Sequence, residues 1–419
     1  MTYWHLYNPI VRQAIQSMCS SEGKRVISTF IAPRIFIGYA ATQAFASSVA
    51  SLFKRRRAFI VTDPHIKVLA FSVEKILKSL DITTKVWDKV VPEPPTSSFK
   101  PCAEAMEEFG TDLIVAVGGG SVIDTAKVAW VLYERPDVDF RLIDPLKPLG
   151  LRRKALLAAI PTTSGTGSEA TSVAVITDES FKPLRKFAVI HPELVPDFAV
   201  IDPRFVVGMP KKLTLCTALD ALAHAVDCYL THASFELTEA LAVKAIKIIL
   251  RWLPRVLKRP DDVEARLRMH LAATLAGLAF SNGGIGLTHS LGHALGKVFG
   301  IHHGYAVGVF IPYIIKFYSE VSDKYLELAE ELGLDMYDHS SALSHLIGTF
   351  TSFFKEVGAP LTLKELGISE EALKSKLDVL AEYAFEDPCT LFSPRPISTE
   401  EIKQLFLDAM YGRLGDWGD

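Results

Sequence analysis

The sequence predicts an α/β domain built on a parallel sheet with crossover helices, followed by an all-helical domain. Up to about residue 208, short apolar runs of strand length alternate with amphipathic segments of helical spacing. Beyond Gly208-Met209-Pro210 the apolar spacing is helical almost throughout. A chain of 419 residues exceeds one ordinary core. We therefore place two domains at residues 1–208 and 209–419, and leave residues 1–30 unassigned.

The first domain is predicted to alternate strand and helix, as parallel sheets with crossover helices do. Its predicted elements are strand Ala58–Thr62, helix His65–Leu80, strand Thr83–Trp87, helix Phe99–Phe109, strand Leu113–Val117, a helix from about Val122 to Tyr133, and strand Leu156–Ile160. The second domain is predicted to contain helices at Thr214–Leu230, Leu237–Leu257, Asp262–Phe280 and Leu287–Val298, with others toward the C-terminus.

Composition excludes several classes of function. The 45 basic and 48 acidic residues nearly balance, so we expect no nucleic-acid partner and no attraction to an anionic membrane. No apolar run reaches the roughly 20 residues of a membrane span, and the N-terminus does not resemble a signal peptide. The five cysteines show no disulfide or zinc spacing. A soluble, cytoplasmic protein is the simplest interpretation.

A glycine-rich turn follows the predicted strand Leu113–Val117. Gly119, Gly120 and Ser121 open a helix at once, and Asp124 lies within its first turn. Glycines let a ligand approach the backbone, and the start of a helix favours phosphate. An ordinary strand-to-helix turn explains the motif equally well when it is taken alone. The pattern is not the G-x-G-x-x-G of ordinary dinucleotide-binding folds.

A second loop of small residues, Pro161–Glu169, follows the strand Leu156–Ile160 and contains Thr162 and Thr163. Two such loops at the carboxyl edge of one sheet are expected to face one ligand, although a flexible surface loop is the alternative. Asp63 ends an earlier strand. An acid there can bind ribose hydroxyls and repel a 2′-phosphate, which favours NAD over NADP, but an aspartate before proline is more often a turn residue.

Histidines cluster in the second half of the chain. Asp220 and His224 are four residues apart on one predicted helix, and His289 and His293 share that spacing on another. A further pair, 302 and 303, follows in a predicted loop. One carboxylate and three imidazoles make a suitable first shell for a divalent metal with an open position. For any single histidine an ordinary structural role is the better explanation, whereas the joint pattern favours a metal.

The motifs GGGSVIDTAK, PTTSGTGSE, LDALAHAVDCY and THSLGHALGKVFGIHHG closely resemble those of the iron-containing (group III) alcohol dehydrogenases. The resemblance runs from about Pro33 to near Arg395. It implies a nucleotide-binding α/β domain and a helical metal-binding domain, the architecture shared with dehydroquinate synthase. It also implies NAD, ferrous iron (Fe2+) and a homodimer or larger homo-oligomer. Zn2+, Mn2+, Co2+ or Ni2+ would also suit these ligands.

The resemblance carries specific roles onto this chain. Asp220, His224, His289 and His303 match the metal ligands. The predicted cofactor-binding residues are Asp63, Gly119, Gly120, Ser121, Asp124, Thr162, Thr163, Thr171 and Lys186, with Phe205 and Gly208 more loosely beside them. Phe280 matches a position in the substrate pocket, and His293 is our candidate for relaying the hydroxyl proton.

The chain departs from the family pattern at two points. Glu93 stands where many relatives have asparagine, which puts one cofactor contact in question. His302 stands where a proline commonly precedes the last ligand, so His302 competes with His303 for that role. We favour His303, because it keeps the spacing from His289 and precedes Gly304.

We therefore expect a metal-dependent oxidoreductase that transfers hydride between NAD(H) and a small or medium alcohol or aldehyde, with the metal polarising the substrate oxygen. One alternative is a zinc enzyme resembling glycerol dehydrogenase or dehydroquinate synthase. A synthase would need basic residues around the metal. The segments 218–227 and 287–298 contain no arginine and a single lysine, Lys297. Another alternative is a catalytically inactive relative that binds nucleotide and metal.

Overall fold

The computed structural model describes residues 28–52, 56–180 and 185–414 of the chain. The chain divides into two compact units. The sheet unit comprises Ile31–Met209 and Pro260–Ser281, and the helical unit comprises Pro210–Arg259 and the described residues from Asn282 onward. The longest segment that differs from the predicted division is 260–281, which belongs to the sheet unit, and the described residues 28–30 group with the helical unit.

Six parallel strands form the sheet in the order β1-β8-β5-β4-β2-β3. The strands are β1 Arg34–Ile37, β2 Arg57–Val61, β3 Thr83–Trp87, β4 Leu113–Gly118, β5 Leu156–Pro161 and β8 Phe198–Ile201. The helices that connect the first five are α1 Ala41–Val49, α2 Lys67–Lys78, α3 Phe99–Phe109 and α4 Gly120–Glu134. Every residue of β4 is buried, as the unbroken apolar run LIVAV requires of a strand covered on both faces.

The strand order reverses between β2 and β4. From β2 the chain moves outward to β3, whereas β4 pairs with the other side of β2 and leads to β5. Ligands of such sheets bind at the carboxyl ends of the strands at this reversal. Asp63 follows β2 and Gly119 follows β4, so two of the predicted cofactor positions flank the reversal point.

An antiparallel hairpin, which the sequence did not predict, follows the second small-residue loop. Its strands are β6 Val173–Asp178 and β7 Arg185–Ile190. The predicted α/β class of this domain is confirmed, and the predicted elements recur with small shifts at their ends. The largest shifts are of two residues, at both ends of α2 and at the start of α4, which begins at Gly120 rather than near residue 122.

The helical unit is the second part of the predicted fold, and none of its described residues forms a strand. Helix α7 spans Val263–Gly283 and lies almost entirely in the sheet unit. The other helices are α5 Lys211–Leu230, α6 Glu236–Lys258, α8 Leu287–Phe299, α9 His303–Gly308, α10 Ile311–Ser319, α11 Lys324–Leu332, α12 His339–Val357, α13 Glu370–Glu386 and α14 Thr399–Tyr411.

Helix α5 forms the centre of the helical unit. Every residue from Thr214 to Leu230 is buried. By length and composition alone α5 could cross a membrane, yet 94% of its apolar window is buried inside the protein. A helix that is apolar on all sides and covered by other helices is a core helix. The polar side chains it carries are therefore held at fixed positions inside the unit.

Candidate metal centre and nucleotide loops

Helix α5 carries three acidic or imidazole side chains along one face. Asp220, His224 and Asp227 are spaced four and three residues apart, so they stand one above the other. Asp220 and His224 are nearly buried, and Asp227 is completely buried. Buried acids of this kind need partners, because burial without them costs several kcal/mol or more.

Three imidazoles surround the Asp220 carboxylate. Its Oδ1 lies 3.2 Å from Nε2 of His303, 3.7 Å from Nε2 of His224 and 3.7 Å from Nε2 of His289. Donor atoms of Asp220, His289 and His303 all lie within 4.8 Å of one another. The rings of His224 and His289 stack with centroids 4.5 Å apart. The structure therefore brings together the four predicted ligands, three of them in one tight group.

His303 reaches the centre because α9 packs directly on α5. A Cβ atom at Gly304 would lie 1.8 Å from the carbonyl oxygen of Cys216, a separation that no side chain can have. His303 is the first residue of α9 rather than part of a loop as predicted, and it points toward Asp220. His302 is exposed and precedes the helix. The geometry thus favours His303 over His302, as the spacing does.

Asp227 orients His289 from behind. Its Oδ2 lies 2.9 Å from Nδ1 of His289 and accepts a 2.5 Å hydrogen bond from the Thr288 hydroxyl. A carboxylate accepts from Nδ1–H, so this contact fixes the ring with Nε2 of His289 facing Asp220. Our sequence analysis did not single out Asp227. Its place three residues after His224, on the same helical face, was the signal that could have found it.

His293 has a carboxylate partner of its own. Its Nδ1 lies 2.8 Å from Oδ2 of Asp387, which precedes a short 3-10 helix and also accepts from the backbone amide of Cys389. The ring of His293 stacks on that of His303, with centroids 5.3 Å apart. Sequence reasoning missed Asp387, because 94 residues separate it from His293 and no spacing connects them.

The charges in the centre follow from burial and from the two buried carboxylates, Asp220 and Asp227. Burial opposes ionisation of Asp220, but the neighbouring imidazoles His224 and His303 hold its pKa well below the ordinary value. Burial lowers the pKa of His224 to about 3 and that of His303 to about 4. For His289 burial is outweighed by the Asp220 and Asp227 carboxylates, which raise its pKa to about 9. At neutral pH two imidazoles are thus neutral and ready to donate lone pairs.

Among the described residues two groups could hold a metal, namely Asp220-His289-His303 and His293-Asp387-Cys389. In the first group Oδ1 of Asp220 and Nε2 of His289 are buried and make no hydrogen bond with any described residue. In the second group the carboxylate is already bonded to His293. Burial and the adjacent Asp387 charge also raise the pKa of the Cys389 thiol well above its ordinary range, which opposes metal binding by a thiolate. The first group is the better fit.

In the sheet unit the two predicted nucleotide loops lie against each other. The Thr162 amide donates to the Gly118 carbonyl at 3.0 Å. A Cβ at Gly119 would lie 3.2 Å from the Thr163 methyl carbon, and one at Gly120 would lie 2.9 Å from that of Thr166. The glycines therefore allow the loops to pack together, which is a structural reason for them besides the approach of a phosphate.

Two of the predicted cofactor residues are buried beneath these loops. Asp124 is only 8% exposed, and its two oxygens accept from the Ser168 hydroxyl at 2.6 Å and from the Val175 amide at 2.9 Å. Thr171 is 2% exposed, and its hydroxyl lies 3.1 Å from Nζ of Lys127. Gly119, Gly120, Ser121 and Thr163 are partly accessible, whereas Thr162 is buried.

Asp63 and Lys186 already have protein partners. Oδ1 of Asp63 accepts from the amides of His65 and Ile66, so the residue also serves as the turn residue that its position before proline indicates. Lys186 pairs with Glu93 at 2.9 Å. Glu93 has a left-handed backbone (φ 49°), a conformation that favours asparagine over glutamate.

The remaining predicted positions also lie in the sheet unit. Phe205 is buried, and Gly208 is exposed with open space beside its Cα. Phe280 is partly buried on α7, one residue before Ser281, whose hydroxyl accepts from the Ser172 amide at 3.0 Å. Phe280 is therefore attached, through its helix, to the end of the second nucleotide loop.

Known proteins share both halves of this arrangement. The chain matches the family described as iron-containing alcohol dehydrogenase over residues 32–203, and the C-terminal part of the Fe-containing alcohol dehydrogenase family over residues 214–410. It is 39% identical over 350 residues to the NADPH-dependent butanol dehydrogenase of Clostridium saccharobutylicum, an alignment that covers 82% of this chain and 89% of that protein. The chain belongs to the iron-containing alcohol dehydrogenase family.

Other relatives agree with this assignment. The NAD-dependent methanol dehydrogenase of Bacillus methanolicus is 32% identical over 389 residues, covering 91% of this chain and 99% of that protein. The solved structure of an iron-containing alcohol dehydrogenase from Thermococcus thioreducens matches with a TM-score of 0.82 and 34% identity, covering 92% of this chain and 100% of that one. As a member of this family the chain is an NAD(P)-dependent alcohol oxidoreductase that acts on small-molecule alcohols or aldehydes.

Proposed function

We propose that this iron-type alcohol dehydrogenase holds a divalent metal on Asp220, His224, His289 and His303, and uses it with NAD(H) to interconvert a small or medium alcohol and its aldehyde. The observation that carries the proposal is the convergence of three imidazole nitrogens on one buried, ionised carboxylate. Such a group costs folding free energy unless a cation neutralises it.

The spacing of the donors supports a metal between them. Two ligands that each lie about 2.1 Å from one ion are separated by roughly 3.0–3.5 Å. The distances from Oδ1 of Asp220 to the three imidazole nitrogens are 3.2 to 3.7 Å, so small adjustments would complete the shell. The mixture of one oxygen and three nitrogens suits Fe2+, and also Zn2+, Mn2+, Co2+ or Ni2+.

The chain's own residues would orient the reactants and move one proton. When bound, the metal supplies Lewis acidity toward a substrate oxygen, and NAD(H) accepts or supplies hydride. Asp227 fixes the ring of His289 so that Nε2 faces the site. Asp387 accepts from Nδ1–H of His293, which leaves Nε2 of that ring to take the hydroxyl proton or return it.

The proton relay has its own test in His293→Ala. We expect this variant to keep its metal but to lose activity and change the pH profile of kcat, because Nε2 of His293 no longer accepts the proton. Asp387→Asn should change the same profile more weakly, since the asparagine oxygen can still accept from Nδ1–H and orient the ring without its negative charge. An unchanged rate and profile in His293→Ala would remove the role.

We propose NAD as the preferred nucleotide on the basis of Asp63. Its Oδ1 is occupied by two backbone amides, while its Oδ2 accepts no hydrogen bond from a described residue and remains available to a ribose hydroxyl. The same negative charge would repel a 2′-phosphate. Relatives with either preference are known, since the butanol dehydrogenase is NADPH-dependent and the methanol dehydrogenase NAD-dependent. Steady-state values of kcat/KM for NADH and for NADPH would show which nucleotide this enzyme prefers, and a clear preference for NADPH would contradict the proposal.

The setting and assembly of the enzyme are part of the proposal. The four described cysteines are free, in keeping with a reducing, cytoplasmic compartment. We propose a homodimer or larger homo-oligomer, which light scattering of the purified protein would test. Phe280 lies on α7 beside the second nucleotide loop, and an apolar side chain there favours an aliphatic substrate.

The decisive experiment follows turnover anaerobically. The metal is stripped with chelator, and oxidation of NADH is measured with a panel of short aldehydes before and after ferrous ion is added. We expect activity only after the addition, and more with NADH than with NADPH. Binding of metal and NADH without turnover of any carbonyl substrate would instead support a catalytically inactive relative.

A further inference from the structure

Lys127 is a completely buried lysine on α4, the helix that begins at the first nucleotide loop. Its exposed fraction is 0%. Its Nζ donates to the carbonyl oxygens of Val173 at 2.7 Å and Thr171 at 2.8 Å, and to the hydroxyls of Thr171 at 3.1 Å and Ser168 at 3.2 Å. Ser168 belongs to the second nucleotide loop, Thr171 follows that loop, and Val173 begins strand β6.

Two buried acids accompany this lysine. Asp124, one turn earlier on α4, accepts from the Ser168 hydroxyl and from the Val175 amide. Glu169, in the second loop, accepts from the Thr274 hydroxyl at 2.7 Å. A buried ammonium and two buried acids are costly in a protein interior unless each makes hydrogen bonds in fixed geometry. The segment from Ser168 to Val175 is therefore tied to α4 at several points.

Helix α7 supports the same loop from its other side. The Ser164 hydroxyl lies 3.0 Å from Nδ1 of His270, and the Ser172 amide donates to the Ser281 hydroxyl. Between them, Gly167 and Gly277 pack so closely that a Cβ on Gly277 would lie 2.8 Å from the Gly167 Cα. These α7 positions, with Thr274, are spaced three or four residues apart and form one helical face.

From these contacts we propose that Lys127 is a positioning residue for the cofactor: it holds the second nucleotide loop in register with the first without touching the nucleotide. The inference rests on the proposed function, since it takes both loops as the dinucleotide site. It also reassigns Asp124, which the sequence analysis placed among the cofactor contacts. Both of its oxygens are used inside the protein.

In this proposal the fixed position of the second nucleotide loop lowers the entropic cost of nucleotide binding. A loop that is ordered before binding does not lose conformational entropy when the dinucleotide arrives, and its amides already point at the ligand. Without the lysine, part of the free energy of nucleotide binding would be used to order the loop. Replacing Lys127 should therefore lower the affinity for the nucleotide, and should leave the rate of the chemical step and the metal affinity unchanged.

The test compares four proteins in their metal-loaded form: wild type, Lys127→Met, Ser168→Ala and Glu134→Gln. Glu134 is the matched control, because it is also buried on α4 and also holds a loop, through the amides of Arg153, Lys154 and Ala155. That loop follows Gly150 and precedes β5, at the opposite edge of the sheet from the nucleotide loops. NADH affinity is measured by fluorescence, metal content by mass spectrometry, and kcat and KM by steady-state assays.

We expect Lys127→Met to weaken NADH binding by about ten- to hundredfold and to raise KM for NADH, with kcat at saturation and metal content little changed. Ser168→Ala, which leaves all the charges in place, should weaken binding in the same direction by a smaller factor. Glu134→Gln should lower thermal stability and leave NADH affinity at the wild-type value. If Lys127→Met does not fold, Ser168→Ala decides the outcome against the control.

Two results would overturn the inference. One is NADH affinity within about twofold of wild type in a folded Lys127→Met or, failing that, in Ser168→Ala. The other is an equal loss of affinity in Glu134→Gln, which would indicate general destabilisation. Failure of the wild-type protein itself to bind NADH would instead refute the proposed function, so the two failures are distinguishable.

Discussion

The adjacent histidines 302 and 303 provide a sharp test of the ligand set at the scale of single residues. His303 lies 3.2 Å from Asp220, whereas His302 is exposed. We expect His303→Ala to lower metal affinity by more than about hundredfold, since loss of even a supporting residue costs 10- to 100-fold. His302→Ala should keep its metal. Competition with a fluorescent chelator measures both, and the reverse order would identify His302 as the ligand.

Metal binding should also depend on pH in a direction set by His289. The pKa of His289 is raised to about 9, while those of His224 and His303 lie at about 3 and 4. Between pH 6 and 8 the metal must therefore displace about one proton, from His289. Affinity should rise roughly tenfold per pH unit over this range and level off above about pH 9.

Isothermal titration calorimetry in buffers of different ionisation enthalpy measures how many protons are released when the metal binds.

In the metal-free protein, protonation of His289 stabilises the fold, whereas it opposes metal binding. Because its folded pKa is raised, His289 stabilises the fold below about pH 6.5, and this contribution is lost as the pH rises through about 9. Metal binding without proton release would contradict the assignment of His289 as a ligand that must first be deprotonated.

Local spacing was the limit of what the sequence could predict at this scale. Asp220 with His224 was recognisable because helical period places residues four apart on one face, and Asp227 could have been found in the same way. Asp387 could not, since its contact with His293 depends on how two distant segments pack. The burial of Asp124 could not be predicted either, because the sequence pattern of a helical aspartate after a glycine turn is the same whether its side chain contacts a ligand or a loop.

Among the elements, α9 makes the clearest prediction. Gly304 lets this helix approach α5 at backbone distance, and any side chain there must push the helix away. We expect Gly304→Ala to cost about 1–3 kcal/mol of unfolding free energy by overpacking. Metal affinity should fall at least about tenfold, because His303 moves with the helix.

The control for this variant is Gly348→Ala in helix α12. A Cβ at Gly348 meets nothing within 4 Å, so the substitution should stabilise the protein by about 0.5–1 kcal/mol through helix propensity. Thermal unfolding and metal titration of both variants check the pair. Normal metal binding by Gly304→Ala would mean that α9 does not position His303.

Elements with strong periodicity were predicted well, and those that depend on pairing were not. Strands β2, β4 and β5 are mostly apolar runs, α5 is a long apolar segment and α8 has clear helical spacing, so their existence follows from local pattern. The hairpin β6–β7 was missed although eight of its twelve residues are apolar, because each strand is short and is recognised by its pairing with the other. The helical start at His303 was missed because two histidines and two glycines resemble a loop.

At the scale of the whole molecule, the two proposed sites belong to different units. The metal ligands lie in the helical unit, and the nucleotide loops with Lys127 lie in the sheet unit. We therefore expect a double dissociation: His289→Ala loses metal but binds NADH as the wild type does, whereas Lys127→Met keeps metal and loses NADH affinity. Metal analysis and NADH fluorescence on the same samples check this. Loss of both ligands in either variant would contradict the separation.

The fold class could be predicted at this scale from the order of the apolar patterns, and the family from the motifs that resemble it, but the division of the chain could not. Residues 260–281 were assigned to the helical domain because they are helical. They belong to the sheet unit because one face of α7 supports the second nucleotide loop. That face carries the polar side chains of His270, Thr274 and Ser281. Its local sequence pattern does not indicate which segment it packs against.

The measurement that tests the central claim most directly is X-ray absorption at the metal edge of the zinc-loaded enzyme. Ligation by Asp220, His224, His289 and His303 predicts only nitrogen and oxygen neighbours at about 2.0–2.2 Å, with imidazole scattering from three rings. A sulfur neighbour at about 2.3 Å would contradict the account. It would point to Cys389 with His293 and Asp387, the second group of described residues that could hold a metal.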